Sequence, residues 1–271
     1  MISGTTAFVA MLGHPVHQVR TPAAFNAWAQ QRNVDAVMIA IDVAPASLAT
    51  TLTALRGWQN CLGAVVTYPH KQAVVAELDS LTDAVRIVGA ANVIRRMADG
   101  HLHGGMTDGL GMVTALRNNG FDPTGRAVRL IGAGGAGSAI ALALLDAGVA
   151  RLVVDDIDAD RRSQLLARLH AARPEAVVAG AADKDFAPAL VVNATPVGMN
   201  GDPAYPIPLD ALPPSCLVAD IVPTPAVTDW LAAARQRGHP IQTGPEMIAG
   251  QLPALITHLL PDAADDVACR G

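Results

Sequence analysis

A glycine-rich segment in the middle of the chain has the residue types of a phosphate-binding turn. It reads Gly132-Ala-Gly134-Gly135-Ala-Gly137, between the apolar residues 127–131 and a helical pattern. The first glycine permits a tight turn, the second lets the backbone approach a pyrophosphate, and the last lets the helix pack closely on the strand. Unpaired amides at the helix start would face the phosphates. A glycine-rich turn without a ligand is the less favoured alternative. The predicted dinucleotide contacts are Gly132, Ala133, Gly134, Gly135, Ala136 and Gly137.

Carboxylates follow the next apolar run at the distance expected of a ribose-binding acid. Asp155, Asp156 and Asp158 lie roughly 20 residues past the glycines. A carboxylate there accepts hydrogen bonds from ribose hydroxyls and repels a 2′-phosphate. This predicts NAD as the preferred cofactor, with NADP possible because Arg161 and Arg162 lie one turn further on. The alternative is that one or two of these acids cap the following helix.

Four polar residues outside the glycine segment are hard to explain by packing as a set: Lys71, Asn92, Asp108 and Gln251. Singly, each has a plain structural explanation. Most lysines are solvated, an Asp before a helix is a good N-cap, and an Asn suits a turn.

Segments spread over nearly the whole chain resemble, in order, the shikimate dehydrogenase family. The matching segments are Gly13-His-Pro15 through Thr21-Pro22, Val66-Thr-Tyr-Pro-His-Lys71, Gly89-Ala-Ala-Asn92, Thr107-Asp108-Gly109, Gly132–Gly137, Asn193-Ala-Thr195, and Gly244, Met247 and Gln251. The resemblance implies an oxidoreductase that transfers hydride between NAD(P) and the ring hydroxyl or ketone of shikimate, 3-dehydroshikimate or quinate.

The resemblance also implies roles for individual residues. Lys71 and Asp108 would be the catalytic pair, with the ammonium holding and passing the proton of the reacting hydroxyl. The implied substrate-binding residues are Thr21, Thr67, Asn92 and Gln251. The implied cofactor-binding residues beyond the glycine segment are Asp156, Ile157, Asn193, Thr195, Ile221 and Gly244.

Several positions depart from the family pattern. Val19 and Thr21 stand where the family usually has two serines that hold the substrate carboxylate, Val65 replaces an Asn, and Pro223 replaces a Tyr. Valine donates no hydrogen bond, although the fork of Arg20 suits a carboxylate. These departures motivate an alternative, the same chemistry on another cyclic polyol acid or amino analogue. An alternative of another class is a dinucleotide-binding sensor with little turnover.

The segment Asp156-Ile157-Asp158 replaces the Asn-Arg-Thr that is usual in NADP-using members. In this respect the chain resembles the NAD-using quinate and shikimate dehydrogenases, which are catabolic. The resemblance therefore agrees with the preference for NAD.

Alternating apolar runs and helical patterns predict an α/β protein with two domains. An N-terminal, mostly parallel substrate domain would cover residues 1–105, with the C-terminal helix 239–271 packing back onto it. A Rossmann-type, doubly wound domain would cover residues 106–238. We also predict a helix over residues 69–78. Residues 92–97 and 101–106, joined by Asp-Gly, should form an antiparallel pair at the sheet edge.

Composition excludes several other classes of function. The chain is 51% hydrophobic and 16% charged, carries a net charge of −5, and has no basic cluster that would suit a nucleic acid. No apolar run is long enough to span a membrane. The three scattered cysteines and the missing leader pattern predict a cytoplasmic protein, monomeric or homodimeric. His101 and His103 lack a third ligand, so no metal is predicted.

Overall fold

A computed structural model of the chain describes residues 2–176, 178–180 and 186–261. The chain divides into two compact units, which we call unit 1 (residues 1–107 and 251–271) and unit 2 (residues 108–250). The divisions thus fall at 107/108 and 250/251, where the sequence led us to expect 105/106 and 238/239.

Unit 1 is built on a mixed sheet. Its strands are β1 (Ala7–Gly13), β2 (Ala36–Asp42), β3 (Cys61–Val66), β4 (Ser80–Leu81), β5 (Val93–Arg96) and β6 (Leu102–Gly105). Their order across the sheet is β2-β1-β3-β5-β6-β4. Strand β1 is parallel to β2 and β3, β4 is parallel to β6, and β5 is antiparallel to both of its neighbours. The helices are α1 (Thr21–Arg32), α2 (Leu48–Gly57) and α3 (Asp83–Val88).

Two predicted features of unit 1 are wrong. The hairpin of β5 and β6 is not at the sheet edge, because β4 pairs with β6 on its other side. Residues 69–78 do not form an α-helix; turns lead into a 3₁₀ helix over Ala73–Glu77. The amide of Asp79 donates a hydrogen bond of 3.0 Å to the carbonyl of Leu102, next to the short strand β4. The chain returns to the sheet directly after Leu78, which leaves no room for a longer helix.

Part of the core of unit 1 is a mostly aliphatic cluster on one face of its sheet. Val9 and Met11 of β1 pack there with Phe25 and Ala29 of α1, which lie one helical turn apart on the same face. Scarce aromatic residues leave most of this core to branched aliphatic side chains. The other buried members are Met38, Val65, Val93, Leu255 and Leu259.

Unit 2 contains a fully parallel sheet. Its strands are β7 (Ala127–Ile131), β8 (Arg151–Asp155), β9 (Val178–Ala179), β10 (Leu190–Asn193), β11 (Leu217–Asp220) and β12 (Ile241–Gln242). Their order is β12-β11-β10-β7-β8-β9, and every pair is parallel. The chain proceeds outward from β7 in one direction and from β10 in the other. This doubly wound order confirms the predicted Rossmann-type fold, with its switch point between β7 and β10.

Helices precede, connect and follow these strands. They are α4 (Asp108–Asn118), α5 (Gly135–Asp146), α6 (Ala159–Ala172), α7 (Asp229–Gln236) and α8 (Gly244–Leu259). Helix α7 was not predicted from the sequence; its N-cap is Thr228, whose side chain accepts a hydrogen bond from the amide of Leu231. Helix α8 begins in unit 2, and its residues from Gln251 onward belong to unit 1. Of the helices in the described residues, none has both the length and the apolar character needed to cross a bilayer.

Candidate active site

The glycine loop lies at the switch point of the unit 2 sheet. Gly132 follows β7 with a φ of 103°, and a Cβ there would come within 2.8 Å of the carbonyl oxygen of Ala194, the residue after β10. A Cβ at Gly137 would lie 1.9 Å from the carbonyl oxygen of Gly132. The turn and the close helix packing therefore require these two glycines.

Gly134 is a glycine for a different reason. Its φ is −70°, which any residue adopts, and a Cβ there would meet nothing within 4 Å. Neither backbone conformation nor protein packing requires glycine at this position. The missing side chain leaves space beside the first amides of α5, which have no partners within the helix. The loop therefore fits a dinucleotide pyrophosphate.

Asp156 is fixed against the glycine loop. Its Oδ2 accepts hydrogen bonds from the amide of Ala133 at 2.7 Å and from Nε of Arg161 at 3.0 Å. Its Oδ1 accepts from Nη2 of Arg161 at 2.6 Å and from the amide of Asp158 at 2.8 Å. Burial raises the pKa of Asp156, but the Arg161 guanidinium and the two amides outweigh it and hold the pKa below its ordinary value. Asp156 is therefore an ionised acceptor at neutral pH. Ile157 beside it is fully exposed.

The two neighbouring acids have structural partners. Asp155 accepts a hydrogen bond of 2.6 Å from Nε of Arg129 on the adjacent strand. Asp158 is the N-cap of α6 and accepts from the amide of Arg161 at 3.0 Å. Of the three carboxylates, Asp156 is the one bonded to the glycine loop. Asp158 takes the helix-capping role that was the alternative for these acids.

Asn193 organises the loop after β10. It is fully buried, and its Nδ2 donates to the carbonyl of Val197 and to Oδ1 of Asp220, each at 3.0 Å. Its Oδ1 accepts from the amide and the hydroxyl of Thr195, at 3.0 and 2.6 Å. Asn193 therefore shapes the loop that presents Thr195 at the switch point.

Asp220, at the end of β11, is a buried acid of the same network that the sequence analysis gave no role. Its Oδ1 accepts from Asn193 and from the amide of Val222, and its Oδ2 accepts from the hydroxyl of Thr228 at 2.9 Å. Burial is the largest influence and raises the pKa of Asp220, although these hydrogen bonds oppose it. An acid that ends an apolar strand was the available signal.

Ile221 and Gly244 lie together beside this network. The amide of Ile221 donates to the carbonyl of Asn193 at 3.1 Å. A Cβ at Gly244 would come within 2.2 Å of the carbonyl oxygen of Val222 and 2.7 Å of that of Ile221. Only glycine lets α8 begin so close to the segment after β11. Both predicted cofactor residues are thus on the same side of the unit 2 sheet as Thr195.

In unit 1, two predicted substrate residues share a third side chain. Asn92 is 1% exposed and Gln251 is 6% exposed. Nδ2 of Asn92 donates to Oγ1 of Thr107 at 3.1 Å, and Nε2 of Gln251 donates to the same oxygen at 3.0 Å. Oδ1 of Asn92 accepts from the amide of Thr107 at 2.8 Å. Thr107 was part of a recognised motif, but sequence reasoning gave it no role.

Lys71 lies in the turn after β3, close to the backbone before Asn92. The amide of Ala91 donates to the carbonyl of Lys71 at 2.8 Å. Thr67 begins that turn. His70, the residue before Lys71, is buried, and its Nε2 is hydrogen-bonded to the carbonyl of Val43 at 2.7 Å. This histidine fixes the turn to the segment after β2. The network of Asn92 and the turn of Lys71 are therefore neighbours within unit 1.

The other two predicted residues open helices. Thr21 is the first residue of α1 and is buried. Asp108 is the first residue of α4, where the sequence placed it just before the helix, and it is 4% exposed. Asp108 belongs to unit 2 and Lys71 to unit 1.

Two of the departures from the family pattern, Val19 and Val65, have a common environment. Val65 is 3% exposed and belongs to the aliphatic cluster of unit 1, and Val19 packs against the same cluster. A site for a carboxylate would need polar side chains at these two positions, but both valines pack in or against the apolar core. Within the described ranges there is no group of three or more His, Cys, Asp or Glu that would suit a metal ion.

Comparison with known proteins gives a consistent result. The family model of the shikimate dehydrogenase substrate binding domain matches residues 11–94. A shikimate dehydrogenase (NADP(+)) of Paramagnetospirillum magneticum is 38% identical over 92% of this chain and 91% of that protein. The quinate dehydrogenase from Corynebacterium glutamicum in complex with NAD is 30% identical, with a TM-score of 0.84 over 94% of each chain. The ligand-free 5-ketofructose reductase of Gluconobacter sp. strain CHM43 is 29% identical, with a TM-score of 0.83 over 96% of this chain and 94% of that one.

Proposed function

We propose that this chain, which belongs to the shikimate dehydrogenase family, interconverts the ring hydroxyl and ketone of shikimate or quinate with NAD as its preferred cofactor. The premise is that the chain is an NAD(P)-dependent oxidoreductase acting on CH–OH groups. The observation that carries the substrate proposal is the buried cluster of Asn92, Thr107 and Gln251. Buried amides aligned on one hydroxyl suit a ligand with several hydroxyl groups. Family membership favours the enzyme over a sensor.

The proposed proton chemistry belongs to Lys71 and Asp108. When bound, the nicotinamide ring supplies the acceptor or donor of the hydride. In oxidation, Lys71 takes the proton of the reacting hydroxyl while the carbon loses its hydride; in reduction, Lys71 returns that proton to the carbonyl oxygen. Lys71 accepts the proton as a neutral amine and gives it back as an ammonium, and Asp108 is the proposed second member of the catalytic pair. Lys71 is one of two lysines in the chain, the other being Lys184.

The remaining proposed residues bind and orient. Asn92, Gln251, Thr21 and Thr67 hold the other hydroxyls of the substrate. In unit 2, the glycine loop holds the pyrophosphate, and Thr195, Ile221 and Gly244 line the nicotinamide side. Asn193 supports this surface indirectly, because its amide is engaged by Thr195, Val197 and Asp220. We therefore assign Asn193 a positioning role.

The preference for NAD rests on Asp156. Its ionised carboxylate is fixed at the loop where an adenosine ribose would lie, so it accepts ribose hydroxyls and repels a 2′-phosphate. Arg161, the nearest cation, is already bonded to both carboxylate oxygens. The curated relative from Paramagnetospirillum magneticum is named for NADP(+), whereas the Corynebacterium glutamicum structure contains NAD.

A second candidate keeps the chemistry and changes the substrate. Val19 and Val65 are part of the apolar environment of unit 1 and give a carboxylate no hydrogen bond from their side chains. A neighbour with the same fold is a 5-ketofructose reductase. Both observations favour a polyol substrate whose carboxylate is replaced or bound elsewhere, such as at Arg20.

Steady-state assays separate these proposals. The enzyme is assayed with NAD and NADP against shikimate, quinate and a cyclic polyol without a carboxylate. A high kcat/KM with shikimate or quinate supports the first proposal, and turnover of the neutral polyol alone supports the second. Tight NAD binding without turnover of any alcohol would contradict both and favour a sensor. A cytoplasmic location and a monomeric or homodimeric state stay predictions.

A further inference from the structure

A cavity in unit 1 lies outside all the residues assigned above. It has a volume of about 280 Å³ and is lined by Ser80, Arg95, Met97, Asp99, His101 and His103. These residues belong to β4, β5, β6 and the turn between the last two strands. The volume holds several water-sized groups, and the cavity opens to solvent.

The polar lining of the cavity is mostly cationic or hydrogen-donating. Arg95 and His103 are opposite each other in the β5–β6 register, so their side chains share one sheet face. Nδ1 of His103 is 2.8 Å from the hydroxyl of Ser80. The one acid, Asp99, is engaged by the hairpin turn, where its Oδ1 accepts from the amide of His101 at 2.9 Å.

Arg95 meets no strong acceptor in the part of the chain that the structure describes. Among the described residues, the acceptor that its guanidinium meets is Sδ of Met97, 3.2 Å from Nε. A thioether is a weak acceptor, and a guanidinium offers five N–H donors. An arginine beside a cavity with unused donors favours an oxyanion, which it can hold by two parallel hydrogen bonds.

Histidines of two elements share this positive environment. The ring of His258 on α8 stacks on His103 with centroids 5.3 Å apart and planes inclined by 12°. Burial, followed by Arg95 and Arg86, lowers the pKa of His103. Burial is also the largest influence on His258. Its hydrogen bond to the carbonyl of His103 opposes burial, the charges of His103 and Arg95 act with burial, and the pKa of His258 is lowered as well. An anion placed here would relieve the repulsion among these groups.

We propose that the cavity bounded by Arg95, His101 and His103 binds a small oxyanion, a carboxylate or a phosphate, at a site separate from the dinucleotide and substrate residues. Arg95 supplies paired donors, Ser80 and the imidazoles supply further ones, and Met97 contributes an apolar wall. Binding is tighter at lower pH, because the anion favours the protonated imidazole of His103. The charged and titratable groups around His103 that bear on this pH dependence are Arg86, Arg95, Asp99, His101 and His258.

The test follows the imidazole resonances of His101, His103 and His258 by NMR. The full chain is first saturated with NAD, because the glycine loop also suits phosphate. It is then titrated with inorganic phosphate and, separately, with acetate, against chloride at matched ionic strength. We expect phosphate or acetate to shift the His101 and His103 resonances and to raise the pKa of His103. The anion that shifts them identifies which chemistry the site takes.

Two variants and one control complete the test. Arg95→Gln should weaken the response at His103 by about tenfold, as expected for loss of a charge-assisted pair. His101→Asn, on an exposed side chain, should weaken it without threatening the fold. Arg32→Gln removes the same charge from an exposed position on α1 and should leave it unchanged. A response to phosphate and acetate no larger than that to chloride, or an unaltered response in both variants, would overturn the proposal.

Discussion

Arg161 holds both carboxylate oxygens of Asp156, with Nε 3.0 Å from Oδ2 and Nη2 2.6 Å from Oδ1. The same Oδ2 accepts the amide of Ala133 in the glycine loop. The acid that is proposed to reject a 2′-phosphate therefore also restrains the cation that would attract one. We therefore expect cofactor preference to depend on this pair and not on the acid alone.

Asp156→Ala should change the ratio of kcat/KM for NAD to that for NADP by about tenfold or more in favour of NADP, because it removes the repulsive carboxylate and frees Arg161. The matched control is Asp160→Ala, which removes an exposed carboxylate from the first turn of the same helix, α6. The control should leave the cofactor ratio unchanged. An unaltered ratio in Asp156→Ala would contradict the ribose role.

Lys71→Ala should lower kcat by about a hundredfold or more, the usual range for loss of a general acid–base group. The Kd for NAD, measured by fluorescence or calorimetry, should stay within a small factor of the wild-type value. Equal losses in kcat and in NAD affinity would indicate that Lys71 supports the fold instead of the proton transfer. The exposed Arg32→Ala serves as a control for removing a cation from unit 1.

Thr107→Val should raise the KM for the cyclic substrate, because the hydroxyl that aligns Asn92 and Gln251 is lost. Leaving two buried amide donors without their acceptor also costs about 1–3 kcal/mol of stability, which denaturant unfolding measures. Thr107→Ser keeps the hydroxyl and should restore the KM. A valine variant with unchanged KM would show that this cluster is only structural.

The stacked histidines predict an acid-sensitive stability. Because the folded-state pKa values of His103 and His258 are lowered, the unfolded chain takes up protons first as the pH falls below about 6.5. Stability that is fully present above that pH is lost as the pH falls toward the folded-state pKa values.

His258→Phe keeps a ring against His103 and removes the titrating group, so the fall in Tm between about pH 7.5 and about pH 5.5 should become smaller. His170→Phe, at an exposed position on α6, is the control. The same fall in Tm in the wild type and in His258→Phe would show that the pair does not govern acid stability.

Local patterns determined much of this protein. The Gly132–Gly137 segment, the apolar runs around it and the acid after β8 predicted a doubly wound unit, because a tight turn, close packing and phosphate approach each restrict a single position to glycine. Local patterns could not assign different roles to residues of the same type that lie close together in the sequence. Asp155, Asp156 and Asp158 differ only in their partners: a neighbouring strand, the glycine loop and a helix start.

Only the tertiary structure decided contacts between distant segments. It brought Gln251 to Thr107 and Asn92, placed Asp220 beneath the loop of Asn193, and shortened the helix expected over residues 69–78 so that β4 could pair with β6. It also showed that Val19 and Val65 belong to one apolar environment. Sequence periodicity reports which way a side chain faces along its own element, whereas the atoms that it meets come from elements whose arrangement depends on the whole core.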